Sequence, residues 1–387
     1  MTSGAIRPRV FGSLSREQFL ERYWQRAPIM FRAALPGFRS PISAEELAGL
    51  ACEEDVESRL VEGAVSTRFR LEHGPFDAAR FERLPERDWT LLVQDVDKFV
   101  PALTPLLEPF RFIPDWRIDD IMVSFAAPGG SVGPHTDQYD VFLLQARGRR
   151  RWQLSKAFDP ALRVDSDLKV LEHFSPEEEL IAEPGDILYL PPNVAHFGLA
   201  LDEALTFSVG FRAPDQKELM MALAEELIDR AVPGERFSDA GRSPLMSPTE
   251  LVPADLARLR QMLRGGLQLS DADLDGFIGR HLTRSKPNLE ADGEVASVEE
   301  VRARLVGGER LVRRLGSRWA HCLHDGELWL FVDGQQHRLD ARDFAWIEPL
   351  LGGLPADEAA LNTRPGMLPW LVIFLERGAI EWHGDDD

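Results

Sequence analysis

Apolar positions along this chain change their period from segment to segment, and the changes divide it. In SREQFLERYWQRAPIMF, Phe19, Leu20, Tyr23 and Trp24 recur at helical spacing, and Ser15 followed by Gln18 has the form of a capping box. An amphipathic helix is predicted there. From about residue 118 to 214 the texture becomes β-rich, with the short runs IMVSF, YDVFLLQ, RRWQL, DILYLP and LTFSVGF separated by PGG, ARGR, EPGD and LPPN. That pattern predicts an all-β barrel or sandwich.

Beyond residue 214 the period returns to helical in KELMMALAEELIDRAV, PADLARLRQMLRGGL and DADLDGFIGRHL, with no cluster of reactive side chains among them. Packing or dimerisation is their expected role. The polar stretch TRSKPNLEADGEVAS reads as a linker into a last module. In that module two strands meet at His324-Asp325-Gly326, a further turn falls at Asp333-Gly334, and the helical segments DARDFAWIEPLL and MLPWLVIFLERG follow. The expected organisation is therefore mixed α and β: residues 1–214 with the β-rich core, a helical segment at 215–284, and a small winged-helix-like domain at 295–387.

Composition narrows the class. A chain of 387 residues with 44% hydrophobic content is long enough to bury a sizeable core in two or three domains. No apolar run reaches membrane-spanning length and MTSGAIRPRVFGS lacks a signal-peptide core, so a cytoplasmic protein is expected. Cys52 and Cys322 are too few and too far apart for a disulfide framework or a cysteine zinc site. The balance of 44 basic against 64 acidic residues, a formal charge of −20, favours a cationic protein over DNA as a partner.

The chemistry concentrates in SVGPHTDQYDVF, where His135 and Asp137 stand two positions apart at the start of an apparent strand. In a strand, side chains at i and i+2 project to the same side, so the imidazole and the carboxylate are expected to point together. The run EPGDILYLPPNVAHFG supplies His196 as a third ligand. Two histidines and one carboxylate form a facial triad that holds Fe(II) and leaves positions open for a bidentate co-substrate and dioxygen. His321 and His324 flank Cys322 but have no fourth partner, which argues against zinc.

The passages IDDIMVSFAAPGGSVGPHTDQYDVFLLQARGRRRWQL, EPGDILYLPPNVAHFG and FSVGFRAP resemble the bacterial ribosomal oxygenases of the JmjC and cupin superfamily. Within that family, arginine hydroxylases act on large-subunit ribosomal protein sixteen. The resemblance implies a double-stranded β-helix, Fe(II), 2-oxoglutarate, dioxygen, a homodimer formed through the helical segment, and a basic ribosomal protein as substrate. Relatives that hydroxylate histidine, and cupins that bind metal without turnover, are the alternatives.

The distal carboxylate of 2-oxoglutarate needs a cation. Arg150 alternates in step with Trp152 and Leu154 and so shares their face, with Arg212 as its competitor; the resemblance favours Arg150. Some family members carry serine at the position of Ala126, and Ser124 is the expected substitute contact here. For the substrate, an arginine guanidinium calls for a carboxylate and a flat or soft apolar surface. Asp120, Met122 and Tyr139 provide that set, at positions the resemblance assigns to substrate binding.

Overall fold

The computed structural model describes residues 10–64, 68–164, 166–230, 236–238, 240, 251–289 and 292–383. Much of the helical segment's centre, at 231–235 and 241–250, lies outside them, as do residues 290 and 291 of the expected linker. Two compact units emerge. One comprises the described residues of Met1–Ala213, Ser285–Ser317 and Pro349–Asp387, the other those of Pro214–Arg284 and Arg318–Glu348.

Besides a separate pair, Arg310–Arg313 with Ile380–His383, the first unit holds eleven antiparallel strands: β1 (Ile29–Phe31), β2 (Ser58–Glu62), β3 (Arg70–His73), β4 (Trp89–Val93), β5 (Ile118–Ala126), β6 (Val141–Arg147), β7 (Arg150–Ser155), β8 (Glu178–Ala182), β9 (Ile187–Leu190), β10 (Ala195–Ala200) and β11 (Ala204–Phe211). Eight of them form a main sheet in the order β1-β9-β6-β11-β5-β4-β2-β3, and β10-β7-β8 form a second sheet. This is the double-stranded β-helix. Strands β5 to β11 come from the β-rich region, whereas β2, β3 and β4 extend the main sheet with residues that precede it.

Alternation along β6 shows how the two faces are used. Phe142 and Leu144 join the larger apolar cluster, with Phe19 and Phe31 from the N-terminal region and Phe207 and Phe211 from β11. Val141 and Leu143 join the other cluster, with Trp152 and Leu154 of β7 and Leu188 of β9. The N-terminal helix α1 (Arg16–Arg22) starts at the capping box formed by Ser15 and Gln18 and contributes Phe19, which is fully buried. Behind the sheet, the Tyr189 hydroxyl donates to the buried Asp140 carboxylate at 2.6 Å and accepts from the Gln25 amide at 2.7 Å.

The second unit holds α2 (Gln216–Arg230), α3 (Pro253–Gly266) and α4 (Asp271–Thr283), together with β12 (Trp319–His324), β13 (Glu327–Val332) and β14 (Gln335–Asp340). Asp325-Gly326 and Asp333-Gly334 turn these strands with positive φ at both positions, the geometry that favours two-residue hairpins. Among the described residues, no helix is long and apolar enough to cross a membrane.

Candidate metal centre and substrate cavity

His135 and Asp137 do not sit on a strand. β6 begins only at Val141; Gly133 with φ +80 and Pro134 precede His135, so its segment turns before the sheet resumes. The expected same-face arrangement is replaced by a different device. His135 and His196 form an isolated antiparallel bridge, each amide donating to the other's carbonyl at 3.0 and 2.9 Å. The Asn193 amide then donates to the Asp137 carbonyl at 2.9 Å, which holds the carboxylate's segment against the turn preceding β10.

The bridge sets the two imidazole rings 4.2 Å apart. Each ring is oriented by its own backbone: Nδ1 of His135 lies 3.0 Å from the Gly133 carbonyl, and Nδ1 of His196 lies 3.0 Å from the Val194 carbonyl. A carbonyl only accepts, so Nδ1 carries the proton in both and Nε2 keeps its lone pair for a metal. Asp137 Oδ2 is 3.6 Å from His196 Nε2 and 4.0 Å from His135 Nε2. Burial, followed by the neighbouring His135, pushes His196 down to about 4, which keeps its imidazole neutral. Two imidazoles and one carboxylate on one side fit a divalent iron and leave its other side open.

All eight candidate residues line one cavity of about 710 Å³: the three possible ligands, Arg150, Ser124, Asp120, Met122 and Tyr139. Arg150 is 5% exposed, and its Nε and Nη2 have no hydrogen-bond partner. Its guanidinium lies 5.7 Å from the Trp152 ring, and burial depresses its pKa to about 10. A buried cation with unused donors facing a cavity fits an anionic ligand end. Arg212, the competing cation, instead donates from Nε to Asp119 at 3.0 Å.

Gly198 makes room for this corner. It pairs with Trp152 across β10 and β7, and a Cβ at Gly198 would stand 2.6 Å from the indole ring. Ala126, where a serine hydroxyl is absent, is fully buried against Ala200 and Ala204. Its partner across β4 is Thr90, whose buried hydroxyl lacks a hydrogen-bond partner and lines the cavity. Thr90 had no sequence signal beyond its place in a short apolar run, because its role depends on β4 joining β5.

At the other end, Asp120 is 7% exposed and accepts from the Asp95 amide at 3.0 Å. Burial first, then the carboxylates of Asp95 and Asp119, raises its pKa to about 7. Met122 lies next on the same face of β5, while Tyr139, 42% exposed, comes from the loop that follows Asp137. Sequence reading also missed Arg59, Gln94 and Lys286, which line this end of the cavity from segments remote in the chain.

Residues 105–219 match the JmjC domain family. The chain is 40% identical over 311 residues to the ribosomal protein uL16 3-hydroxylase of Escherichia coli K12, covering 79% of this chain and 82% of that protein. It is also 39% identical over 216 residues to a probable ribosomal oxygenase of Haemophilus influenzae, covering 55% of this chain and 53% of the relative. The crystal structure of YcfD from E. coli superposes with a TM-score of 0.81 at 33% identity, covering 96% of this chain and 99% of that one. A second structure of YcfD, a ribosomal oxygenase in complex with cobalt and 2-oxoglutarate, gives 0.77 at 34% identity with the same coverage. Shared fold, extended sequence identity and a metal-capable triad in the matched region converge: the chain belongs to the JmjC ribosomal oxygenases.

Proposed function

We propose that this protein is an Fe(II)- and 2-oxoglutarate-dependent hydroxylase of an arginine side chain in a large-subunit ribosomal protein, uL16 being the substrate named for its E. coli relative. The observation that carries the reading is one cavity with three distinct chemistries: a His-Asp-His cluster, a buried arginine with unused donors, and a buried carboxylate. His135, Asp137 and His196 would hold the iron, and Arg150 would take the distal carboxylate of 2-oxoglutarate, with Ser124 and Thr90 as hydroxyl contacts. When bound, iron and 2-oxoglutarate supply oxidative decarboxylation with dioxygen and insertion of an oxygen atom into an unactivated C–H bond.

The chain's own residues supply position. Asp120 accepts a guanidinium's N–H bonds, Met122 and Tyr139 flank its plane, and the fixed end of the substrate side chain determines which carbon faces the metal. The buried walls keep bulk water from the reacting side chain. The −20 charge draws a basic ribosomal protein toward the enzyme and disfavours nucleic acid.

A cytoplasmic homodimer is part of the reading. On α3, Leu256, Leu259, Met262 and Leu263 are exposed at helical spacing, as are Met220, Met221 and Ile228 on α2, so the helical segment offers apolar faces for a second copy. The division at 214 and 295 into oxygenase, dimerisation and winged-helix-like parts belongs to the same proposal.

The deciding experiment is intact-mass analysis of purified ribosomal proteins after incubation with the enzyme, iron and 2-oxoglutarate. Gain of one oxygen atom on an arginine, located by fragmentation, is the expected result. Oxygen on a histidine would replace the substrate assignment, and 2-oxoglutarate consumption without any modified protein would remove it.

A further inference from the structure

Asp119 and Asp120 line the substrate end of the cavity and Asp95 lies next to Asp120, and the three carboxylates are not equally available. Asp95, 1% exposed, accepts from Lys286 at both carboxylate oxygens, with Nζ 2.9 and 2.8 Å away. Asp119 accepts from Arg212 at 3.0 Å and stands 3.9 Å from the same ammonium. Asp120 has no ion pair within 4.0 Å among the described residues; its Oδ2 is met by the Asp95 amide and, with the Gln94 amide turned so that its NH2 donates, by Gln94 at 3.1 Å.

Lys286 reaches this place from far along the chain, on a short segment of the same compact unit. The segment is pinned there: the Asn288 side chain donates to the Asp55 carbonyl at 2.9 Å, and Leu289 is buried. A lysine carried on a pinned segment and held by both oxygens of one carboxylate is a fixed charge, not a roaming surface cation.

We propose that Lys286 is a positioning residue for the substrate arginine: by occupying Asp95 and standing beside Asp119, it leaves Asp120 as the free acceptor for one guest guanidinium. The inference rests on the proposed arginine substrate and adds the device that selects its charge. Lys286 pairs with Asp95 and Arg212 with Asp119, while Arg59 is met by the Gln94 oxygen, so of the three carboxylates Asp120 is the one left to a guest cation. Without Lys286, the buried carboxylates repel each other, and Asp120 takes up a proton in place of the guest.

Asp120 is faced by Asp119 on its own strand, Asp95 and Gln94 from the turn after β4, Arg59 from β2, Lys286, and Tyr139 across the cavity. Lys286 opposes the upward push that burial and the two carboxylates exert on Asp120. Removing that opposition moves the pH at which Asp120 ionises upward.

The test compares the parent enzyme with Lys286→Met and Lys286→Arg on an arginine-containing ribosomal peptide across pH. For Lys286→Met, the peptide KM at neutral pH should rise about tenfold and the acid limb of kcat/KM should move up by about one pH unit. At saturating peptide and alkaline pH, kcat should approach the parent's, and Lys286→Arg should restore both KM and profile. A Lys286→Met enzyme with parental KM and an unmoved profile overturns the inference, whether or not its melting temperature falls. If the parent turns over 2-oxoglutarate but hydroxylates no arginine peptide, the substrate reading has failed and takes this inference with it; an active parent with an unmoved variant profile sinks this inference alone.

Discussion

Replacing Arg150 by methionine should weaken the enzyme's grip on 2-oxoglutarate while making the empty protein more stable. The two effects share one cause. Burial lowers the guanidinium's pKa from its ordinary value to about 10, and at about 1.4 kcal/mol per unit this represents on the order of 3 kcal/mol spent on keeping the charge in place. The sign is fixed by the direction of the shift. A cation whose folded pKa lies below its unfolded value destabilises the fold fully below about pH 10, and the cost fades only as pH climbs from there toward the ordinary guanidinium value. Contact with the Trp152 ring offsets part of it, by about 0.5–2 kcal/mol.

Methionine keeps much of the volume and none of the charge. The apo variant should therefore gain on the order of 1–2 kcal/mol, seen as a melting temperature higher by a few degrees. Its 2-oxoglutarate KM should rise about ten- to a hundredfold, because charge-assisted hydrogen bonds contribute about 1.5–3 kcal/mol. Stabilisation by added 2-oxoglutarate should shrink in parallel. Differential scanning fluorimetry with and without 2-oxoglutarate, alongside steady-state kinetics, reads all three. A lower apo melting temperature with an unchanged KM would mean that Arg150 serves the packing around Trp152 and not the co-substrate, and the reasoning from its unused donors would be wrong.

Substituting His135, Asp137 and His196 together by alanine should abolish iron binding measured by calorimetry; retained stoichiometric iron would refute the assignment of the triad. Gly198→Ala should lower the melting temperature and raise the 2-oxoglutarate KM, because the new methyl group meets the Trp152 ring that lies beside both Arg150 and His196; parental values would show that the indole can yield without consequence. Leu263→Asp, at a position 68% exposed on α3, should convert a dimer to a monomer in light scattering at micromolar concentration, and an unchanged mass would place any dimer contact elsewhere. Asp120→Asn should be more stable than the parent above pH 7: the raised folded pKa makes the parent lose stability as pH rises from 3.8 to about 7, and the amide has no such titration. Equal melting temperatures at pH 8 would contradict the burial argument for Asp120.

The parts of the site that were legible in sequence are those whose chemistry and spacing are local. The β-rich strands could be read because their turns are marked by Gly and Pro, and the triad because histidine and aspartate are conspicuous among apolar runs. Even there, strand parity gave the wrong local picture for His135 and Asp137: Gly133 and Pro134 turn the chain, and the ligands are aligned by a bridge to His196 that no one-dimensional pattern records. Thr90 and Gln94 were invisible for a different reason. Thr90 lies on, and Gln94 directly follows, a strand of the main sheet that looks like an ordinary short apolar run until its pairing partners are known.

Lys286 marks the limit most clearly. Its neighbours TRSKPNLE are polar, which is the signature of a linker, and polarity says nothing about whether a segment is pinned. What pins it is tertiary: a carbonyl at Asp55 and a buried carboxylate at Asp95, both roughly two hundred residues earlier in the chain. A buried carboxylate near other carboxylates is costly unless cations arrive, so the acidic cluster itself requires such a partner. The sequence of β5 displays the cluster's Asp119 and Asp120 plainly, but which cation answers it is decided only by the fold. In the proposed arginine hydroxylase that decision matters: without Lys286 against Asp95, Asp120 stands beside an unopposed carboxylate and favours its own protonation over a guest guanidinium.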